Sequence, residues 1–238
     1  MNKNIIVVIS GMALMAFTTC SSGETSTETT TTEETPSEST TSEWEDLSSL
    51  DQWRNYKADT LSDMWKLEDG VLSLAGRGGG DIVTKKQYDD FELEIDWKIS
   101  EGGNSGLFFN VIETDSLPVP WHSGPEYQFL DDERHADAKI RKHRSGDNYD
   151  VQQSTTETVK PAGEWNTTRL VVNGDHVEHY LNGEKVVEYE LGSPAWQDSV
   201  ANSKFSELPM YGQAEEGHIA LQDHGDQVWF RNIRIREM

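Results

Sequence analysis

Glu126, Gln128 and Asp131 fall close together in residues 121–132, WHSGPEYQFLDD, among aromatic side chains and just after a turn-forming Ser-Gly-Pro. Successive side chains of a strand point to opposite faces. A strand starting at Glu126 therefore sets Glu126 and Gln128 on one face, with Tyr127 and Phe129 on the other. A carboxyl beside a carboxamide can transfer a proton and hydrogen-bond a polar ligand. Asp131 has the wrong parity and joins the pair only if the strand bulges after Leu130, as strands next to functional sites often do. Otherwise it is a strand-end cap.

The elements that must present this face read as β throughout. Period-two alternation or short apolar runs occur at 71–74, 91–99, 107–112, 126–130, 168–172, 176–181, 185–189, 218–221 and 228–235. In 91–99, Phe91, Leu93, Ile95, Trp97 and Ile99 alternate with Glu92, Glu94, Asp96 and Lys98, so one face covers a core and the other meets water. Trp97, Trp229 and Phe230 are expected in the core. Asx-Gly turn signals stand at 68–70, 172–175 and 181–184. Only 196–205 suggests a turn of helix. The pattern predicts an all-β fold, a jelly-roll sandwich of two antiparallel sheets.

Residues 1–19 carry Lys3, an apolar run over 5–17 and then small residues, which is the pattern of a secretory signal. The run is shorter than the ~20 residues of a membrane span. Cys20 is the sole cysteine, so no intrachain disulfide can form. Its position resembles the lipidated cysteine of bacterial lipoproteins; the alternative is an ordinary signal peptide with an incidental cysteine. After it, residues 21–42 hold fifteen Ser or Thr and five Glu and no aliphatic or aromatic side chain, so 20–42 is expected to be a disordered tether. The expected location is outside the cytoplasm, lipid-anchored at the outer membrane on its periplasmic or cell-surface face, with membrane contact through the anchor only. Residues 43–238 suffice for one domain with a sizeable core. A net charge of -23 argues against nucleic acid as a partner, because phosphate backbones require basic patches.

Several blocks, in order, carry a resemblance: Trp65-Lys-Leu-Glu-Asp-Gly-Val-Leu, Asp90-Phe-Glu-Leu-Glu-Ile-Asp-Trp-Lys, Gly103-Asn-Ser-Gly-Leu-Phe-Phe, Ser123-Gly-Pro-Glu-Tyr-Gln-Phe-Leu-Asp, Glu164-Trp-Asn, Gly217-His-Ile-Ala-Leu-Gln-Asp-His-Gly and Val228-Trp-Phe-Arg-Asn-Ile. Together they resemble the 3-keto-disaccharide hydrolase family, the concanavalin-like jelly-roll group once called domain of unknown function 1080. The resemblance implies a sandwich acting on 3-keto-glucosides, sugars oxidised at C3 by an upstream sugar 3-oxidoreductase. A C3 ketone acidifies the hydrogen on C2, whose removal expels the aglycone from C1; water then adds across the enone. Such chemistry needs a base near C2, donors for the C3 enolate and an acid for the leaving oxygen.

Within the matching blocks Glu126 is the first candidate for base or acid. His224, in Leu221-Gln-Asp-His-Gly, is a second base or proton donor, with Gln222 beside it. Gln128 can donate to a sugar oxygen, and Asp131 can orient a histidine or bind a hydroxyl. Asn104 and Ser105 can bond sugar hydroxyls, although Gly-Asn-Ser-Gly is also turn chemistry. His135 and Tyr149 lie on the polar segment 131–153, whose length suits a lid. Trp121, in a Pro-bounded loop, is a candidate for stacking on a sugar ring.

No cofactor is indicated. His176 and His179 face opposite ways on a strand and cannot chelate together; a divalent cation at Glu126 or Asp131 is chemically allowed but nothing in the spacing demands it. Two other classes fit the same sandwich: a non-catalytic carbohydrate-binding module, and a β-glucanase, whose Glu-x-Asp-x-x-Glu strand Glu126-x-Gln-x-x-Asp131 superficially resembles.

Overall fold

The computed structural model describes residues 42–238. The signal segment, Cys20 and all of the tether except Ser42 lie outside the described residues. The described chain forms thirteen strands and one short α-helix, besides a few single turns of 3-10 helix: β1 (Glu45–Asp46), β2 (Trp53–Asn55), β3 (Trp65–Glu68), β4 (Val71–Leu74), β5 (Ile82–Thr84), β6 (Phe91–Ile99), β7 (Asn104–Val111), β8 (Glu126–Leu130), β9 (Asn166–Asn173), β10 (His176–Leu181), β11 (Glu184–Glu190), α1 (Pro194–Ala201), β12 (His218–Leu221) and β13 (Val228–Glu237). One sheet runs β11-β10-β9-β6-β13-β4-β3, with β1 also on β13; the other runs β2-β5-β12-β7-β8. Every pairing is antiparallel. This is the jelly-roll sandwich that the alternating strands predict.

The two sheets meet through the apolar set that alternation assigns to the core. Trp97 of β6 stacks on Phe129 of β8 with ring centroids 4.7 Å apart, and both are fully buried. Burying one such side chain stabilises the fold by roughly 1.5–3 kcal/mol. On the opposite face of β6 the acidic residues are matched across the strand pair: Glu92, Glu94 and Asp96 lie opposite Arg236, Arg234 and Arg231 of β13 and form ion pairs with them. Trp229 belongs to this outer face. It neighbours Phe230 on one strand, so only one of the two can face inward; Phe230 is buried, while Trp229 is half-buried beneath the Lys98 ammonium at 4.5 Å. The expectation of a core Trp229 is corrected by that parity.

The hairpin turns follow their residue types. Asp69-Gly70 and Asn182-Gly183 both take positive φ, the geometry of two-residue turns that match strand twist. The helix at 194–201 starts two residues earlier than expected and stops earlier. Pro194 stands at its first turn, and Ser193 caps it by accepting from the Trp196 N–H at 3.2 Å.

Candidate active site

The outer face of the five-stranded sheet carries the candidate residues, and strand register decides which of them share it. Arg54, Val83, Ala220, Phe108 and Glu126 are successive partners across β2, β5, β12, β7 and β8, so they lie in one row on one face. The next row holds Gln222, whose N–H bonds the Gly106 carbonyl at 3.0 Å, then Gly106 and Gln128. Beyond it Asn104 pairs with Leu130. Val83, Phe108, Val111 and Ala220 form a small apolar cluster here, flanked by Tyr56 and Trp121. All four are fully buried beneath the polar side chains of this face.

Glu126 is 4% exposed, and nothing among the described residues donates a hydrogen bond to its carboxyl. The space it occupies exists because position 106 has no side chain: a Cβ there would lie 2.4 Å from Glu126 Oε1. Burial raises the Glu126 pKa to about 8; Lys204 opposes the shift, and the charges of Asp81 and Asp137 add to it. At neutral pH this carboxyl holds its proton. Asp81, on the turn before β5, is itself raised to about 6 by burial, with the Asp223 N–H partly offsetting that effect.

The segment 131–153 packs along β8 and walls this face on one side. It is a built wall rather than a free lid: Gly146 and Asp147 exchange backbone hydrogen bonds with Gln128, and the Tyr149 N–H bonds the Glu126 carbonyl at 3.0 Å. From it Tyr149 donates to Asp137 Oδ2 at 2.8 Å, and His143 stacks on the Tyr149 ring at 4.2 Å with its Nε2 3.0 Å from Asp150 Oδ1. Burial works against the Asp137 charge, but hydrogen bonds from Tyr149 and His143 outweigh it and hold the carboxyl below its usual range.

Lys204 reaches this wall from the turn after α1. Trp196 of α1 stacks between Tyr189 and Tyr211, Tyr211 stacks on Phe205 at 4.2 Å, and Asp150 Oδ2 accepts from the Lys204 N–H at 2.7 Å. The Lys204 ammonium then lies 4.0 Å from the Tyr149 ring centre, 5.0 Å from that of Phe205 and 5.6 Å from that of Trp121. The residue as a whole is exposed, yet its ammonium is partly desolvated among the rings, which lowers its pKa against the pull of Glu126, Asp150 and Asp137.

His224 stands at the other rim, its side chain 47% exposed, with Nε2 3.4 Å from Asn104 Nδ2. His135 faces it with ring centroids 6.3 Å apart, and its Nδ1 accepts from the Asp137 N–H, which leaves the proton of a neutral ring on Nε2. Partial burial lowers the His224 pKa, so the imidazole is neutral at pH 7. Asn104 Oδ1 and Gln222 Oε1 are buried without a hydrogen-bond donor. Buried polar atoms are rarely left unpaired unless a ligand or water completes them.

The fold thus brings together Glu126, His224, Gln222, Asn104, Trp121, Tyr149 and His135 from the sequence-derived set. Three others are placed elsewhere. Ser105 follows Asn104 on β7 and faces the core, where its hydroxyl bonds the Gln222 carbonyl at 2.9 Å. Gln128 shares the Glu126 face but is fully buried beneath the wall, donating to the His143 carbonyl and accepting from the Phe129 N–H. Asp131 is the strand-end cap: no bulge follows Leu130, and its carboxylate accepts from the N–H groups of Gly102, Glu133 and Arg134. Burial raises the Asp131 pKa less than those bonds lower it. Sequence reasoning missed Lys204, Asp81, Asp137 and His143; the one available signal was the density of Asp, His and Lys in 131–153.

Among the described residues the close ligand group is His176, Glu178 and Glu188 on β10 and β11. There the Lys185 ammonium already sits 3.0 Å from Glu178 and 2.6 Å from Glu188.

Known proteins share this architecture. A 3-keto-disaccharide hydrolase of Bacteroides thetaiotaomicron is 38% identical over 220 residues, spanning 80% of this chain and 76% of the relative. The crystal structure of a candidate glycosyl hydrolase from Parabacteroides distasonis superposes with TM-score 0.74 at 34% identity, covering 79% of this chain and 89% of that one. A second from the same organism gives 0.65 at 31% identity, covering 82% and 100%. The sequence profile of the 3-keto-alpha-glucoside-1,2-lyase-like domain matches residues 43–236, and the chain belongs to that family.

Proposed function

We propose that the protein cleaves 3-keto-glucosides, including 3-keto-disaccharides, by removing the C2 proton and eliminating the C1 aglycone, with water then adding to give net hydrolysis. The observation that carries this reading is the buried, unpaired Glu126 carboxyl on the sheet face where His224 stands beside Asn104. Environments that push two titratable groups apart assign the acid and the base. Glu126, protonated at neutral pH, is the acid for the leaving oxygen, and neutral His224 is the base for C2. Atoms and electrons then balance without an external oxidant. His224 takes the C2 proton, and the C2–H pair becomes an enolate with charge on the C3 oxygen. As the ketone re-forms, a C1–C2 double bond appears and the C1–O bond breaks, with the departing oxygen taking the Glu126 proton. Trp121 offers a ring face for the sugar, and Asn104 and Gln222 offer amides to its hydroxyls. The substrate itself must be supplied by a sugar oxidation at C3.

The glucanase reading needs two ionisable carboxyls across one glycosidic bond. On β8 the candidates beside Glu126 are a carboxamide beneath the wall and a capping aspartate. A chromogenic aryl 3-keto-glucoside and its unoxidised parent, assayed side by side, separate the readings. Turnover of the keto sugar alone is expected. Cleavage of the parent or of a β-glucan favours the glucanase, and binding without any turnover favours the binding module.

As in the sequence-based expectation, export and a lipid anchor at Cys20 remain part of the proposal, supported by the apolar run over 5–17 and the small residues before Cys20.

A further inference from the structure

We propose that Lys204 is the residue that recognises the C3 ketone: its ammonium donates to the keto oxygen of the bound sugar and holds the enolate oxygen once C2 loses its proton. The assignment rests on the function proposed above.

Three features lead to it. The first is supply. A lysine ammonium has three donors, and among the described residues none of those of Lys204 meets an acceptor; no carboxylate lies within ion-pair distance. Other polar groups on that wall are engaged. The Tyr149 hydroxyl is on Asp137, His143 Nε2 is on Asp150, and the Lys142 ammonium is on the Asp150 carbonyl.

The second is fixation. The ammonium is bounded by the rings of Tyr149, Phe205 and Trp121, and the backbone N–H of the same residue is tied to Asp150. Ring faces attract a cation without using up its donors. The stack Trp196–Tyr211–Phe205 behind it sets the height of the turn. The donor is therefore placed before substrate arrives, which is what makes an oxyanion contact effective.

The third is position. Lys204 is the one cation among the charges that act on Glu126, and it acts on His224 as well. It stands within electrostatic reach of both proposed proton-transfer groups. Neutral His224 cannot supply that positive charge. An enolate formed at C2–C3 between acid and base needs a cation at its oxygen; Arg54, in the Glu126 row, is already paired with Glu113, whereas Lys204 has no such partner among the described residues and acts on both groups. An unoxidised sugar has a hydroxyl at C3 and develops no such charge, so the contact discriminates oxidised from parent sugar as well as stabilising the intermediate.

The test compares wild type, Lys204→Met and Lys204→Arg in two assays: turnover of an aryl 3-keto-glucoside, and the ratio of dissociation constants for glucose and 3-keto-glucose read by tryptophan fluorescence. Lys204→Met is expected to lose at least about 100-fold in kcat, the scale of a lost oxyanion donor. Its preference for the keto sugar should fall toward unity while glucose binding stays near wild type. Lys204→Arg should recover at least about tenfold of the turnover, because it keeps the charge. Unchanged glucose binding shows that the binding face is intact. Met and Arg variants equally impaired with glucose binding also lost would assign Lys204 a purely structural role and overturn the proposal. So would a Met variant within about threefold of wild type. If wild type itself leaves the keto sugar untouched, the proposed function falls and this assignment with it; if wild type turns over and the Met variant matches it, only the Lys204 assignment falls.

Discussion

Glu126→Gln is expected to be more stable than wild type at about pH 9 and to lose that advantage at about pH 4.5. The sign follows from burial. Glu126 has a pKa of about 8 in the folded protein against 4.5 for the free side chain, so between those values the folded state retains a proton that the unfolded chain has released. Wild-type stability therefore drops as pH rises through this window and levels off above it. The ceiling on the cost is on the order of 5 kcal/mol, at about 1.4 kcal/mol per pKa unit. Glutamine never ionises and escapes it. Denaturant titration of both proteins across the range reads the difference directly; parallel curves would mean that Glu126 is solvated and that its proposed role as a resting acid is wrong.

The same variant separates acid from base in catalysis. An aryl leaving group departs without a proton, whereas an alkyl or sugar aglycone needs one. Glu126→Gln should therefore keep much of its activity on the aryl substrate and lose at least about 100-fold on the alkyl one. Wild-type activity on the alkyl substrate should fall as pH rises through about 8, where Glu126 gives up its proton, and should fall on the acid side as His224 is protonated. Equal losses on both leaving groups would make Glu126 the base.

Gly106→Ala is expected to abolish most activity while leaving the fold as stable as before. The new methyl group would stand 2.4 Å from Glu126 Oε1 and 3.1 Å from Cγ and Cδ, so the carboxyl must swing away. The atoms it meets belong to the end of a side chain rather than to backbone, which makes the adjustment cheap for folding. Gly106 also has ordinary strand φ, so alanine fits its conformation and stiffens the unfolded chain. Catalysis has no such tolerance: a displacement of about 1 Å can cost on the order of 100-fold. A melting temperature near wild type with activity down at least tenfold to 100-fold is the expected pair of results. Retained activity would show that the carboxyl position is not critical.

Strand β8 was legible because its alternation is strong: the expected 126–130 is the observed strand, with Glu126 and Gln128 on one face. β6 is legible for the same reason. β2 and β5 were not, being three residues each; Ile82-Val83-Thr84 is buried on both faces between β2 and β12, which removes the polar half of the pattern. Parity separated Asn104 from Ser105 only once β7 was known to begin at Asn104 rather than at 107. Asp131 shows the reverse case, since its parity already argued against the site and the capping bonds agree. Lys204 carried no local signal. It meets Tyr149 and Trp121 through the docking of α1, a contact made by packing between distant segments rather than by any pattern around position 204.

The central claim is that the bond broken first is C2–H. A 3-keto-glucoside carrying deuterium at C2 tests it. Incubation with the enzyme, stopped before the free keto sugar exchanges on its own, should release aglycone together with a sugar that has lost its C2 label to solvent. A product that keeps its deuterium at C2 while the aglycone is released would contradict elimination and point to direct displacement at C1.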